Sequence, residues 1–175
     1  MRNTGTEQPF DKVVWLAGYL LAHQAGITAE GEAAVPRALV VTRDQPDDAQ
    51  LLVFEAASYQ EAVAQGRSLL ADQKDGLRCW AFAYDAGRLS GGLTDGDALV
   101  VEANVEDGDR PLSFLQRYQP KSDSAPFRLI GGVEMAGAWS RPAADGAREP
   151  AAWDSLLREG IQSHPLAGEA WTLYL

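Results

Sequence analysis

Apolar residues along this chain recur with two different spacings, and the switches between them divide it into helices and strands. Val13, Leu16, Ala17, Leu20 and Leu21 fall on one helical stripe, widened by Val14, Trp15 and Tyr19. This predicts a well-buried first helix from Asp11 to about Ala25, stopped by Gly26. Ser58-Tyr59-Gln60-Glu61 is a capping box, in which the Ser58 hydroxyl accepts from the backbone of residue 61 and opens a second helix. Tyr59, Ala62, Val63, Leu69 and Leu70 form its apolar face, Gly66 permits close approach to a sheet, and Asp75-Gly76 ends it. Pro150 suits the first turn of a last helix with Trp153, Leu156, Leu157 and Ile161 as its stripe.

Strands are expected at Ala38–Arg43 and Gln50–Glu55, joined by the turn-forming run Asp44-Gln45-Pro46-Asp47-Asp48. Leu77 to Asp85 alternates, but both faces are apolar: Arg78, Trp80, Phe82 and Tyr84 on one, Leu77, Cys79, Ala81 and Ala83 on the other. A strand apolar on both sides is central and covered twice, and the expectation is that helix 58–73 covers the small-residue face. A turn at Asp85–Arg88 and a short strand over Arg88–Leu93 follow, before Thr94-Asp95-Gly96. Phe127–Ile130 reads as a strand broken by Gly131-Gly132 and resumed over Val133–Trp139, and Trp171–Leu175 as a terminal strand.

The clearest element is a hairpin from Asp97 to Gln119, turning at Glu106-Asp107-Gly108-Asp109. Asp-Gly at a two-residue loop supplies the positive φ that tight hairpins need. With Asp107-Gly108 as that loop, Ala103 faces Leu112, Val101 faces Phe114 and Leu99 faces Gln116. Leu99, Val101, Ala103, Val105, Leu112, Phe114 and Tyr118 then share one face, while Val100, Glu102, Ser113, Leu115 and Arg117 share a partly solvated one. A slip of one residue would turn the whole apolar set outward, so turn chemistry and hydrophobic pattern agree on the register.

Short links favour antiparallel pairing. The expected fold is therefore α+β: one domain over 1–175, with a single antiparallel sheet of five to seven strands and two or three helices mainly on one face. Residues 1–10 are expected to be a loose N-terminus and the Pro-, Ala- and Gly-rich stretch 140–149 a mobile loop.

Composition narrows function more than it assigns it. The 175 residues are 46% hydrophobic and 23% charged, ordinary for a folded domain. A net charge of −10 disfavours nucleic acid and anionic membranes as partners and is compatible with a basic protein. The apolar run Val13–Ala22 is too short to span a bilayer, and Glu7 and Asp11 in its flank do not fit a secretory leader. One cysteine permits no internal disulfide and fits a cytoplasmic location.

Candidate chemistry is sparse. Cys79 lies within a strand on a face expected to be covered, and only His23 and His164, each at a helix end, offer an imidazole. Two distant histidines without a cysteine pair give no zinc spacing, so no metal and no cofactor are expected. Asp95-Gly96-Asp97 and Asp107-Gly108-Asp109 lie at opposite ends of one strand, ~30 Å apart, and read as turns, not as a calcium loop. Glu102 and Glu106 read as surface charge, and the glycine pairs at 91–92 and 131–132 match no phosphate loop. No catalytic residue is assigned. The candidate binding residues are Trp80, Phe82 and Tyr84, a stripe that forms a contact patch if it is exposed, with Arg78 and Arg117 beside it to orient an anionic group.

Ala98-Leu99-Val100-Val101-Glu102-Ala103 and Phe114-Leu115-Gln116-Arg117-Tyr118-Gln119-Pro120 resemble segments of small uncharacterised bacterial domains. The helix Tyr59–Leu70 leading into Arg78-Cys79-Trp80-Ala81-Phe82-Ala83-Tyr84-Asp85 is similar to them too, so the likeness spans roughly residues 50 to 131. It implies no activity and no functional residue. The expected function is that of a soluble, non-catalytic bacterial protein binding another protein or itself, an immunity- or antitoxin-like role being one specific form. The alternative is a small-ligand binder or enzyme with a pocket over the sheet, using Arg78, Arg117 or Tyr84. A third expectation is a homodimer through an exposed sheet face or edge.

Overall fold

A computed structural model describes residues 9–72, 76–89, 97–106, 108, 110–136 and 150–175. Helix α1 (Pro9–Glu30) leads into strands β1 (Arg37–Thr42) and β2 (Ala49–Val53), then helix α2 (Tyr59–Asp72) and strand β3 (Leu77–Asp85). A single helical turn α3 (Ala86–Leu89) is followed by strands β4 (Asp97–Val105), β5 (Leu112–Gln119) and β6 (Arg128–Ala136). Helix α4 (Pro150–Ser163), the turn α5 (Ala167–Ala170) and a 3-10 turn at Trp171–Leu173 close the described chain. The six strands form one sheet in the order β2-β1-β3-β4-β5-β6, every neighbouring pair antiparallel. The chain is thus α+β with one antiparallel sheet, as its pattern predicts.

Strand β3 lies between β1 and β4, the interior position that two apolar faces require. Its neighbours separate into two clusters. Cys79, Ala81 and Ala83 join Leu39, Val41, Leu99, Val101, Ala103, Leu112, Phe114 and Tyr118 beneath α1, with Leu157 and Ile161 of α4 in the same cluster. Phe82 and Tyr84 join Ala38, Val40 and Val100 on the opposite face, beneath Val63 and Leu70 of α2. Helices therefore cover both faces, and α2 lies over the aromatic side, not over the small-residue side the sequence pattern assigned to it. Volume explains the exchange. Small residues let α1, apolar nearly all round, settle close to the sheet, whereas Phe82 needs a helix with a gap. Gly66 of α2 provides it, because any Cβ there would collide with the Phe82 ring. Burying a ring of this kind stabilises by about 1.5–3 kcal/mol.

The hairpin register is as read from the sequence: Leu99 pairs with Gln116, Val101 with Phe114 and Ala103 with Leu112. Asp107 and Asp109 of its turn, Thr94-Asp95-Gly96 and residues 140–149 fall outside the described residues, as does the start of the expected loose N-terminus. Helix α1 begins at Pro9, within the segment 1–10, and Phe10 packs its ring 5.0 Å from Trp153. The cap of α2 is also as expected, with the Glu61 amide donating to Ser58 Oγ at 3.1 Å.

Several boundaries differ, each for a tertiary reason. Helix α1 runs through Gly26, which rests against Ala167 of α5. It stops instead at Gly31, whose φ of +84° closes a C-terminal cap with Gly31 N–H donating to Thr28 O and Glu32 N–H to Ile27 O. Leu77 leaves the small-residue face because the β1–β3 register slips by one between Val41 and Thr42. Ala86–Leu89 is helical, not the start of a strand, because Asp85 Oδ1 accepts from the Gly87 and Arg88 amides as an N-cap. Gly131-Gly132 does not break β6: the strand runs through on a bulge, with Gly131 at φ +69°. Trp171–Leu175 is not a strand. It turns so that Tyr174 O accepts from the Leu129 amide and the Tyr174 ring meets Phe127 edge-on at 5.1 Å.

Helices α1 and α4 cross where glycine faces backbone on both sides. A Cβ at Gly18 would overlap the Leu157 carbonyl, and one at Gly160 would overlap the Trp15 carbonyl. Gly160→Leu is expected to force the helices apart and to cost ~1–3 kcal/mol or more, lowering Tm by about 2–4 °C per kcal/mol in thermal unfolding followed by circular dichroism. Gly132→Ala, with nothing within 4 Å of the new methyl, should leave Tm nearly unchanged.

Candidate functional site

The aromatic stripe of β3 is a floor for α2 and not an open surface. Phe82 is fully buried and Tyr84 is 7% exposed, while Trp80 is half-buried at the side of the same cluster. Phe54 meets Phe82 edge-on at 5.7 Å, and Phe82 and Tyr84 lie 5.8 Å apart. The Tyr84 hydroxyl donates to Glu102 Oε1 at 3.0 Å and accepts from Arg67 at 3.0 Å, and Arg67 also pairs with Glu102 at 2.7 Å. Arg67 sits over the Tyr84 ring, 5.1 Å from its centre. Burial first, then the Glu102 charge, pushes the Tyr84 phenol up to about 12. This triangle ties α2 to β4. It occupies the polar end of Tyr84 that a ligand was expected to use.

Arg78 and Arg117 do not converge. The paired registers place Arg117 one residue beyond the Asp85 end of β3, eight residues from Arg78, or ~25–30 Å along the strands. Arg78 is half-buried at the start of β3, with its carbonyl accepting from the Glu106 amide. Arg117 is exposed beside Glu134 at 3.6 Å. The five residues singled out from sequence therefore form no single anion-binding group.

The fold instead assembles polar contacts that sequence spacing hides. His23 and His164, distant in the chain, meet with Nδ1 of His23 3.0 Å from Nε2 of His164. His164 Nδ1 accepts from the Ala167 amide at 3.0 Å, so its proton resides on Nε2 and is donated to His23. The Tyr19 ring lies tilted against His164, their centres 4.9 Å apart. The pair pins α1 to the start of α5. It is built for two neutral rings, because a proton on His23 Nδ1 would face the His164 Nε2–H, and one on His164 Nδ1 would face the Ala167 amide. Burial, the nearby Arg37 charge and His164 lower the His23 pKa to about 4, and burial lowers that of His164. Among the described residues no group of three or more His, Cys, Asp or Glu gathers to hold a metal ion. Cys79 is fully buried in the core beneath α1.

Asp85 is the second such contact. Its carboxylate, 2% exposed, accepts from the Tyr118 hydroxyl at 2.6 Å as well as capping α3. Its amide donates to the Tyr59 hydroxyl at 2.6 Å, and Tyr59 in turn donates to Ala34 O at 3.3 Å under the Arg88 guanidinium. Burial raises the Asp85 pKa while these donors oppose the rise. The network is closed by protein groups and locks α2, α3 and β5 together. A buried amide does the same for the bulge: Gln116 Nε2 donates towards the carbonyls of Arg117, Ile130 and Gly131, groups that the slipped β5–β6 register frees. No local signal in the sequence marks Gln116 for this role, since it interrupts an apolar face.

Among the described residues, large apolar side chains are exposed at Leu166, Leu173 and Leu175 near the C-terminal turns and along the rim of the sheet. On β2, Leu51 and Val53 are each 48% exposed, and on β6, Ile130 and Met135 are 53% and 42% exposed. Among the described residues neither strand has a partner on its outer side. No described helix is long and apolar enough to cross a membrane. Comparison with protein-family models, with curated proteins and with solved structures finds no match to this chain.

Two outcomes test these assignments. The unfolded chain takes up histidine protons below pH 6.5, whereas folded His23 resists until about 4. Acid therefore favours unfolding, and urea-melt stability should be full above pH 6.5 and fall between 6.5 and 4, with His23→Gln removing part of the slope. Tyr118→Phe takes the hydroxyl from a buried carboxylate and is expected to cost about 1–3 kcal/mol at neutral pH by urea denaturation.

Proposed function

We propose that this protein acts as a non-catalytic binding protein, joining another protein or a second copy of itself through an exposed strand at the rim of its sheet. The observation that carries this reading is β2: five residues with no charge and no proline, whose apolar side chains Leu51 and Val53 stand half in solvent on an outermost strand. Folded proteins ordinarily guard such a strand with Lys, Pro, a bulge or a covering element, because unpaired backbone groups recruit other strands. Adding a strand to such an edge is a recurring mode of protein recognition. Within this reading, an immunity- or antitoxin-like role in the cytoplasm of a bacterium, against a basic partner, agrees with a net charge of −10. A small-ligand or enzymatic role has less support, since Phe82 and Tyr84 lie beneath α2 and the polar ends of Tyr84 and Tyr118 are taken up by Glu102 and Asp85.

The test is site-specific photo-crosslinking in cells that naturally make the protein, with the photoreactive residue placed at 51, at 130, or at the exposed position 68 of α2. A discrete adduct of constant mass at 51 or 130, and none at 68, supports edge-mediated binding. Adducts at neither rim position would overturn it.

A further inference from the structure

The geometry points to β2 as the docking strand and to an extended protein segment, basic at both ends, as its occupant; this rests on the binding reading above and names its partner. The Phe54 amide donates to Pro36 O, so Phe54, and by the alternation of an antiparallel ladder Leu52 and Gln50, turn their backbone groups inward to β1. Ala49, Leu51 and Val53 then direct theirs outward, and these same residues carry exposed apolar side chains on one face. An incoming strand thus finds hydrogen-bonding groups and an apolar row together.

Charge selects among occupants. The strand is preceded by exposed Asp44, Asp47 and Asp48 and followed by exposed Glu55. Three cations lie nearby: Arg43 pairs with Glu106, Lys12 donates to Pro46 O within the acidic loop, and Arg37, held by Gln24 and the Val35 carbonyl, feels the Glu55 charge, so the four acids outnumber the cations around them. A second copy is disfavoured. A two-fold antiparallel pairing centred on Leu51 sets Asp47 against Glu55 of the other molecule, twice per dimer, between chains that each carry −10. A segment with Lys or Arg at both ends meets an acid at each end whichever way it runs. The other rim is less suited, because the bulge at Gly131 twists β6 and its edge already mixes Arg128 with Glu134.

The experiment uses the full chain and a synthetic capped peptide with two basic residues at each end and alternating Val and Thr between them. Amide chemical shifts and hydrogen exchange are followed on titration. The expected result is saturable binding with new protection at Ala49, Leu51 and Val53, weakened about tenfold or more by Leu51→Lys and similarly by Asp47→Lys/Asp48→Lys, and unchanged by Asp154→Lys on α4. A peptide with acidic ends should bind at least about tenfold more weakly. Equal binding of the two peptides, protection at β6 instead of β2, or no binding of the basic peptide would overturn the inference. So would a dimer in sedimentation that Leu51→Lys dissolves, since the occupant would then be a second copy. If the basic peptide fails while a crosslink forms at 51, the choice of partner is wrong and the binding role stands. If both rim positions give no crosslink, the role itself fails.

Discussion

The arrangement of this molecule depends on one strand being buried on two sides with unequal side chains. Strand β3 presents Cys79, Ala81 and Ala83 to α1 and Phe82 and Tyr84 to α2. The small side lets a helix approach closely, and that closeness carries α4 with it, since α4 crosses α1 at Gly18 and Gly160 with backbone against backbone. The large side needs a helix with a gap, which Gly66 supplies. Protein interiors are close-packed, so these matched volumes decide which helix lies where more firmly than apolarity alone.

Around that core the polar groups act as fasteners. Each joins elements far apart in sequence: Arg67 and Tyr84 with Glu102, His23 with His164, Asp85 with Tyr118, and Gln116 with the bulged carbonyls of β6. Buried groups of this kind cost free energy unless they are satisfied, and here each has donors or acceptors in reach. Their satisfaction removes them as free chemistry. The aromatic face and its phenols are consumed in holding the layers together, which is why the binding role proposed above is placed at the rim of the sheet.

The acidic balance gains a meaning from this layout. Spread over a sequence, −10 says only that anionic partners are disfavoured. Folded, four of the acids bracket an uncharged strand that has no partner on its outer side among the described residues, and they outnumber Lys12, Arg37 and Arg43 beside them. That placement is what the proposed extended, basic-ended occupant rests on.

The chain by itself determined what is written in short-range periodicity. Alternation over 97–119 set the hairpin register, the capping box set the start of α2, and the double apolar pattern of Leu77–Asp85 put that strand inside the sheet. Tertiary structure decided what depends on volume and on contacts between distant residues. It put α2 over the aromatic face, carried α1 past Gly26, turned Trp171–Leu175 into a helical turn, brought two histidines together, and separated Arg78 from Arg117. A period fixes which residues share a face. Only the packed whole fixes what that face meets, because the choice among partners is made by fit and by the satisfaction of buried polar groups, neither of which is local.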